Sequence, residues 1–228
     1  MKFTFFSDLH GKLDTLRSIQ GKENLFFLGD MFTNMRYVEL LGQETLYYYY
    51  KIISPEQFYQ KFKAVKEELD QIKPLHSVPK FFKENKIFVI PGNHDIGPFY
   101  EEMVSQPNIQ NLHLKKEIIR GIEFVGHGGM FVPNFNMNFP HFFMYTDKKV
   151  AANLKAMNPS KGCIIIMHEL PIKDYCVETR KVIEKIKPRM VIGGHDHSLS
   201  RVDLIMGGVR YVCSGVRGEL LNLNLTSD

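Results

Sequence analysis

Asp, His and Asn are the side chains that hold divalent cations and move protons, and in this chain of 228 residues they recur in one setting. Each group follows a short apolar run. Phe3–Ser7 ends in Asp8-Leu9-His10, Leu25–Leu28 in Gly29-Asp30, Ile87–Ile90 in Pro91-Gly92-Asn93-His94-Asp95, and Ile164–Met167 in His168. Val191-Ile192 runs into Gly193-Gly194-His195-Asp196-His197. Of the nine histidines, His10, His94, His168, His195 and His197 fall at these exits. β-Preferring runs closed by Gly or Pro read as buried strands leading into turns. The carboxyl ends of strands are where sites are built, because rigid strands hold converging loops there. One such exit would be a polar turn; the repetition is the signal.

The chemistry follows from the donor types. Carboxylates and imidazoles suit borderline divalent metals, and a carboxylate can bridge two of them. Asp8, His10, Asp30, Asn93, His168, His195 and His197 supply enough donors for two cations side by side. Two metals about 3.5–4 Å apart form the clamp used for in-line displacement at phosphorus. At the central exit, Asn93 offers a ligand oxygen, His94 a proton donor and Asp95 an orienting base. The three cysteines, Cys163, Cys176 and Cys213, have no CxxC spacing, so neither a disulfide framework nor a zinc knuckle is expected. Cys163 and Cys213 lie in expected strands and read as core filler.

The elements that must position these residues alternate. Lys12–Gln20 puts Leu13, Leu16 and Ile19 on one helical face, stopped by Gly21. A change of character from residue 31 to about 80 reads as a helical insertion; Ser54-Pro55-Glu56-Gln57 is its strongest helix start. Asn111–Arg120 and Ile122–Val125 read as two strands, the second ending in Gly126-His127-Gly128-Gly129. Residues 128–146 form a long aromatic-rich loop, a length that calls for a role in a compact domain. Thr146 or Asp147 caps a helix stopped by Asn158-Pro159, and Val177–Ile186 is the next helix. Arg201–Met206, Val209–Cys213 and Glu219–Leu225 are strands. A β/α first half and a strand-rich second half predict one α/β domain over residues 1–228. Its expected form is a four-layer α/β/β/α sandwich of two mixed sheets flanked by helices.

Asp8-Leu9-His10, Gly29-Asp30, Gly92-Asn93-His94-Asp95, His168 and Gly194-His195-Asp196-His197, in that order, resemble the signature of the calcineurin-like metallophosphoesterases. That resemblance implies the same four-layer sandwich and a dinuclear centre of manganese, iron or zinc. By it, Asp8, His10 and His197 hold the first metal, Asp30 bridges, and Asn93, His168 and His195 complete the second. His94, backed by Asp95, resembles the catalytic histidine. In the implied mechanism a metal-bridging hydroxide attacks phosphorus while His94 stabilises or protonates the leaving oxygen. His127 competes with His168 for the second metal; otherwise it stands behind the ligands or against phosphate. Arg36 is a second candidate for substrate phosphate, or a solvated side chain. Asp196 reads as solvent-facing, and His76, His113 and His141 as surface or loop histidines.

The expected activity is hydrolysis of a phosphodiester or a small nucleotide-like phosphate ester. A protein phosphatase is an alternative, weakened by the shortage of arginines beside the motifs. A non-catalytic scaffold on this fold is another; it would have degraded ligands. A net charge of +4 without a basic, aromatic-interleaved stripe argues against a nucleic-acid partner. The aromatics of the long loop are a candidate wall for a flat substrate group, or simply pins to the core. No run approaches membrane-spanning length, and the first strand begins almost at once, so a cytoplasmic location is expected.

Overall fold

The computed structural model describes residues 1–10, 18–19, 21–30, 84–95, 97–132, 143–196, 203–214 and 219–226, with residues 16, 60 and 82. Arg36, His76, His141, His197 and, apart from Gln60, the expected insertion lie outside the described residues, as does 133–142 of the long loop.

The first apolar runs become β1 (Lys2–Phe6), β2 (Leu25–Phe27) and β3 (Ile87–Val89). After α1 (Gly97–Val104) comes β4 (Ile109–Asn111). These four strands pair in parallel as β1-β2-β3-β4. The second half supplies β5 (Lys115–Ile119), β6 (Ile122–His127), β7 (Met130–Phe131), β8 (Met144–Tyr145) and α2 (Asp147–Met157). It continues with β9 (Ile164–Glu169), α3 (Val177–Ile186), β10 (Met190–Gly194), β11 (Asp203–Met206), β12 (Val209–Cys213) and β13 (Leu221–Asn224). The last strand returns to pair antiparallel with β1, so the first sheet runs β13-β1-β2-β3-β4. The second runs β11-β12-β10-β9-β6-β5, parallel except at its two edges.

Strand alternation divides the apolar residues among three cores. Between the sheets lie Phe3, Phe5, Phe26, Leu28, Phe88 and Ile90 from one side and Phe124, Ile164, Ile166 and Ile192 from the other. Phe26 is the centre, with ring centroids 4.7 Å from Phe124 and 5.0 Å from Phe88. The opposite face of the first sheet buries Phe6, Phe27 and Val89 with Tyr100 and Met103 of α1 and with Leu16 and Ile19. The opposite face of the second sheet buries Val125, Ile165 and Met167 under Val150 and Leu154 of α2 and Val182 and Ile183 of α3. Helix, sheet, sheet, helix is the order of layers, as expected.

Three local differences have physical reasons. The expected strand Asn111–Arg120 is two strands in two sheets: β4 ends at Asn111, the chain crosses over, and β5 begins at Lys115. Leu114 takes φ 56° at the crossing, a conformation a leucine gives no hint of. Helix α1 forms in a stretch the sequence assigns to no element, its Pro98 falling in the first turn where a missing N–H is harmless. The ends of the long loop are not irregular: β7 and β8 pair as a two-stranded ladder, Met130 with Met144 and Phe131 with Tyr145. No described helix is long and apolar enough to cross a membrane.

Candidate metal centre

The parallel strands β1, β2, β3, β9 and β10 end on one edge of the sandwich, and the loops there are bonded to one another. Asp8 N–H donates to Gly29 O (2.9 Å) and His10 N–H to Asp30 O (3.0 Å). His195 N–H donates to Asp8 Oδ2 (2.9 Å) and His94 N–H to Asp30 Oδ1 (2.9 Å). The loops pass so close that side chains would not fit: a Cβ on Gly92 would strike Asp30, and one on Gly194 would strike Ser7 and Asp8. Asp8, His10, Asp30 and His195 all have positive φ, between 43° and 69°. Four such residues among the candidates mark backbone held in a costly shape by its surroundings.

The side chains converge. Asp8, Asp30, Asn93 and His168 are buried. His168 Nε2 is 3.0 Å from Asn93 Oδ1, 3.1 Å from His195 Nδ1 and 3.4 Å from Asp30 Oδ2. His10 Nε2 lies 3.7 Å from both Asp8 Oδ1 and Asp30 Oδ2. Among the described residues, ligand atoms of Asp8, His10 and Asp30, and those of Asp30, His168 and His195, each lie within 4.8 Å of one another. Asp30 belongs to both groups.

The tautomer of His168 decides what the second group can do. Its Nδ1 is 2.7 Å from Leu28 O, which can only accept, so Nδ1 carries hydrogen. Nε2 faces a carboxylate oxygen, an amide oxygen and another imidazole nitrogen. Buried oxygen acceptors around one imidazole nitrogen call for positive charge at that point, carried either by a proton on Nε2 or by a metal ion in its place. The electrostatics favour positive charge there. Burial works against a charged His168, yet the carboxylates of Asp30 and Asp8 outweigh it and push its pKa up to about 10. Burial likewise opposes ionisation of Asp8 and Asp30, but hydrogen bonds and nearby histidine charge hold both below the carboxylate range. His10 is raised against burial by Asp8 and Asp30. His195 falls to about 4 through burial and repulsion from His168. The donor set therefore fits divalent metal.

His94 is half-buried, its ring edge-on to His10 at 5.5 Å, and burial lowers its pKa against the pull of Asp30. Asp95 is fully buried, and its Oδ2 accepts from Asp30 N–H and Gly92 N–H, both at 2.8 Å. That oxygen binds two loops together, a structural task beyond the orientation of His94 expected of Asp95. His127 is brought elsewhere. It is aligned with Met167 on the adjacent strand, one residue short of His168, and a one-residue offset reverses the face. Its Nε2 meets Asn153 Nδ2 of α2 at 3.1 Å, beneath the helices.

Sequence reasoning passed over several residues. Ser7 Oγ lies 3.1 Å from Ser214 Oγ, behind Asp8, and the Ser7 hydroxyl helps lower the Asp8 pKa. Glu169, the neighbour of His168, is buried with Oε2 accepting from Phe131 N–H at 2.6 Å and Oε1 paired to Lys173 Nζ at 2.6 Å. His113, expected to be a surface or loop histidine, lies in the connection between β4 and β5 and is bonded through both ring nitrogens. Serine and glutamate at a strand end carry no pattern of their own, and His113 follows no apolar run. A cavity of about 610 Å³ opens at the other end of the sandwich, bounded by Lys22, Lys86, Phe88 and Arg120. None of the converging carboxylates or imidazoles lines it, so the chemistry and not the cavity locates the centre.

The chain belongs to the calcineurin-like phosphoesterase family, whose model matches residues 1–199. It is thereby a hydrolase of phosphoester bonds, in a metal-dependent family that typically holds two divalent ions. One crystal structure shares the fold at a TM-score of 0.70 and 19% identity, over 94% of this chain and 90% of the other. The crystal structure of TT1561 of Thermus thermophilus matches with a TM-score of 0.60 and 15% identity, over 95% of this chain and 89% of that one. No protein of curated function matches the sequence.

Proposed function

We propose that the protein hydrolyses small phosphodiesters or nucleotide-like phosphate esters at a dinuclear centre of manganese, with iron or zinc as substitutes. The observation that carries this reading is the convergence of His168 Nε2, His195 Nδ1, Asn93 Oδ1 and Asp30 Oδ2, beside Asp8 and His10. Asp8 and His10 would hold one ion with His197; Asn93, His168 and His195 would hold the other, and Asp30 both. When bound, the pair acidifies a water and neutralises phosphoryl oxygens.

The chain's own residues do the rest. The Leu28 carbonyl keeps His168 in the tautomer that presents Nε2. The Asp30 carboxylate holds the His94 backbone through Oδ1 while Oδ2 faces the ligands, so one residue sets the spacing between metals and acid. His94, at the mouth of the cluster, hydrogen-bonds the leaving oxygen and delivers its proton as the P–O bond breaks. Burial lowers its pKa, so a protonated His94 gives up its proton to the leaving oxygen the more readily. Arg36 remains a candidate for substrate phosphate. The test is a panel of aryl mono- and diesters, cyclic nucleotides, dinucleotides and a phosphopeptide, run on manganese-loaded protein. Diester turnover that disappears in His94→Asn supports the reading. Turnover of the phosphopeptide alone would replace it by a protein phosphatase, and no turnover of any member would leave a scaffold.

A further inference from the structure

The sequence pattern Gly126-His127-Gly128-Gly129 is a strand exit like the others, yet it supplies no ligand. Its glycines meet the central exit instead. Gly129 N–H donates to Pro91 O at 2.7 Å, and a Cβ on Gly128 would drive into Pro91. The turn is thus a wedge against the residue that opens Pro91-Gly92-Asn93-His94. His113 locks the wedge. Its Nδ1 accepts from Gly128 N–H at 3.0 Å, which places the hydrogen on Nε2, and Nε2 donates to Tyr145 Oη at 3.0 Å. The backbone of His113 is fixed as well, its N–H donating to Asn111 Oδ1 at 2.8 Å. Asn111 Oδ1 also accepts from Tyr100 Oη at 2.7 Å, joining α1 to the same framework. Burial holds the His113 pKa down at about 3, so the imidazole is neutral and both bonds persist across ordinary pH.

We infer that His113, oriented by Tyr145, is a positioning residue that fixes the Asn93–His94 loop at the second metal through the chain Tyr145–His113–Gly128/Gly129–Pro91. This rests on the metal centre proposed above and adds a residue that lies outside its ligand motifs. Its effect is local to one of the two ions, because Asn93 is on that side while Asp8 and His10 are on the other. Removing an outer support of a metal ligand typically weakens binding about 10–100-fold.

The test is calorimetric titration of the metal-free protein with manganese alone, with a thermal melt on each sample. Wild type is expected to take up two ions. His113→Phe should bind one of them about 10–100-fold more weakly and leave the other unchanged. His113→Asn, whose amide oxygen can stand where Nδ1 stood, should restore most of the loss. Tyr145→Phe, a gentler change that keeps the fold within reach if His113→Phe does not express, should weaken the same ion by less. Two affinities equal to wild type in both His113→Phe and Tyr145→Phe, or equal weakening of both ions, overturns the inference, whatever the melting point does. A wild type that takes up no manganese fails differently: it removes the metal centre, and this inference with it.

Discussion

Asp30 is the residue on which the two halves of the centre depend. Its Oδ2 faces His168 at 3.4 Å and His10 at 3.7 Å, while Oδ1 accepts from the His94 backbone. Asn tolerates the φ of 62° that this position requires, so Asp30→Asn removes charge while sparing the turn. We expect it to abolish uptake of both ions, as measured by metal analysis after dialysis. His94→Asn should do the reverse: metal content stays, and kcat falls by roughly two to four powers of ten. Gly92→Ala should resemble Asp30→Asn, because the new methyl would occupy space filled by the Asp30 side chain. At this scale the motifs were legible, since Asp, Asn and His after an apolar run declare themselves. What Asp95 bonds to was not, because a carboxylate gives no sign of which backbone it will meet. His113 was illegible for the same reason.

At the scale of elements, the register between β6 and β9 separates the two histidines the sequence left in competition. His127 aligned with Met167 falls on the helix face; His168 falls between the sheets. A sequence gives the period of each strand but not the alignment of one against the next. Helix ends show the same limit. Thr146 caps α2 as expected, accepting from Lys149 N–H at 3.3 Å. Cys176 gives α3 no side-chain cap; Asp147 of α2 accepts from Glu178 N–H and Thr179 N–H at 2.7 and 2.9 Å. Asp147→Ala should therefore cost about 1–2 kcal/mol in urea unfolding and leave manganese affinity unchanged. The helix-face histidine carries a pH prediction. His127 is buried and held at about 4, well below its unfolded value near 6.5. The unfolded chain therefore takes up a proton that the folded chain refuses, and stability present above about pH 6.5 is lost toward pH 4 at up to about 1.4 kcal/mol per pH unit. His113 adds to this slope, while His168, raised to about 10, contributes none below pH 6.5 because it is charged in both states there. His127→Gln in metal-free protein should flatten the acid limb by about one proton, read from unfolding free energies at pH 7 and 4.5.

In the whole molecule, two stacked sheets bring distant segments to one edge. Asp8 and His195 are joined by a hydrogen bond across 187 residues, so the cluster exists only when both sheets are assembled. The four layers were legible from strand and helix alternation. The crossing at Leu114 was not, because apolar Leu112 and the charged run after it fit one strand as well as two. Metal that binds only the folded form must stabilise it, so manganese should raise the melting temperature and chelator should return it. The measurement that bears most directly on the central claim is anomalous diffraction at the manganese edge from crystals of the loaded protein. Two peaks about 3.5–4 Å apart, one beside Asp8 and His10, the other beside Asn93, His168 and His195, with Asp30 between, are the predicted result. Peaks elsewhere, or density at that edge showing His168 Nε2 and Asp30 with no ion between them, would contradict it.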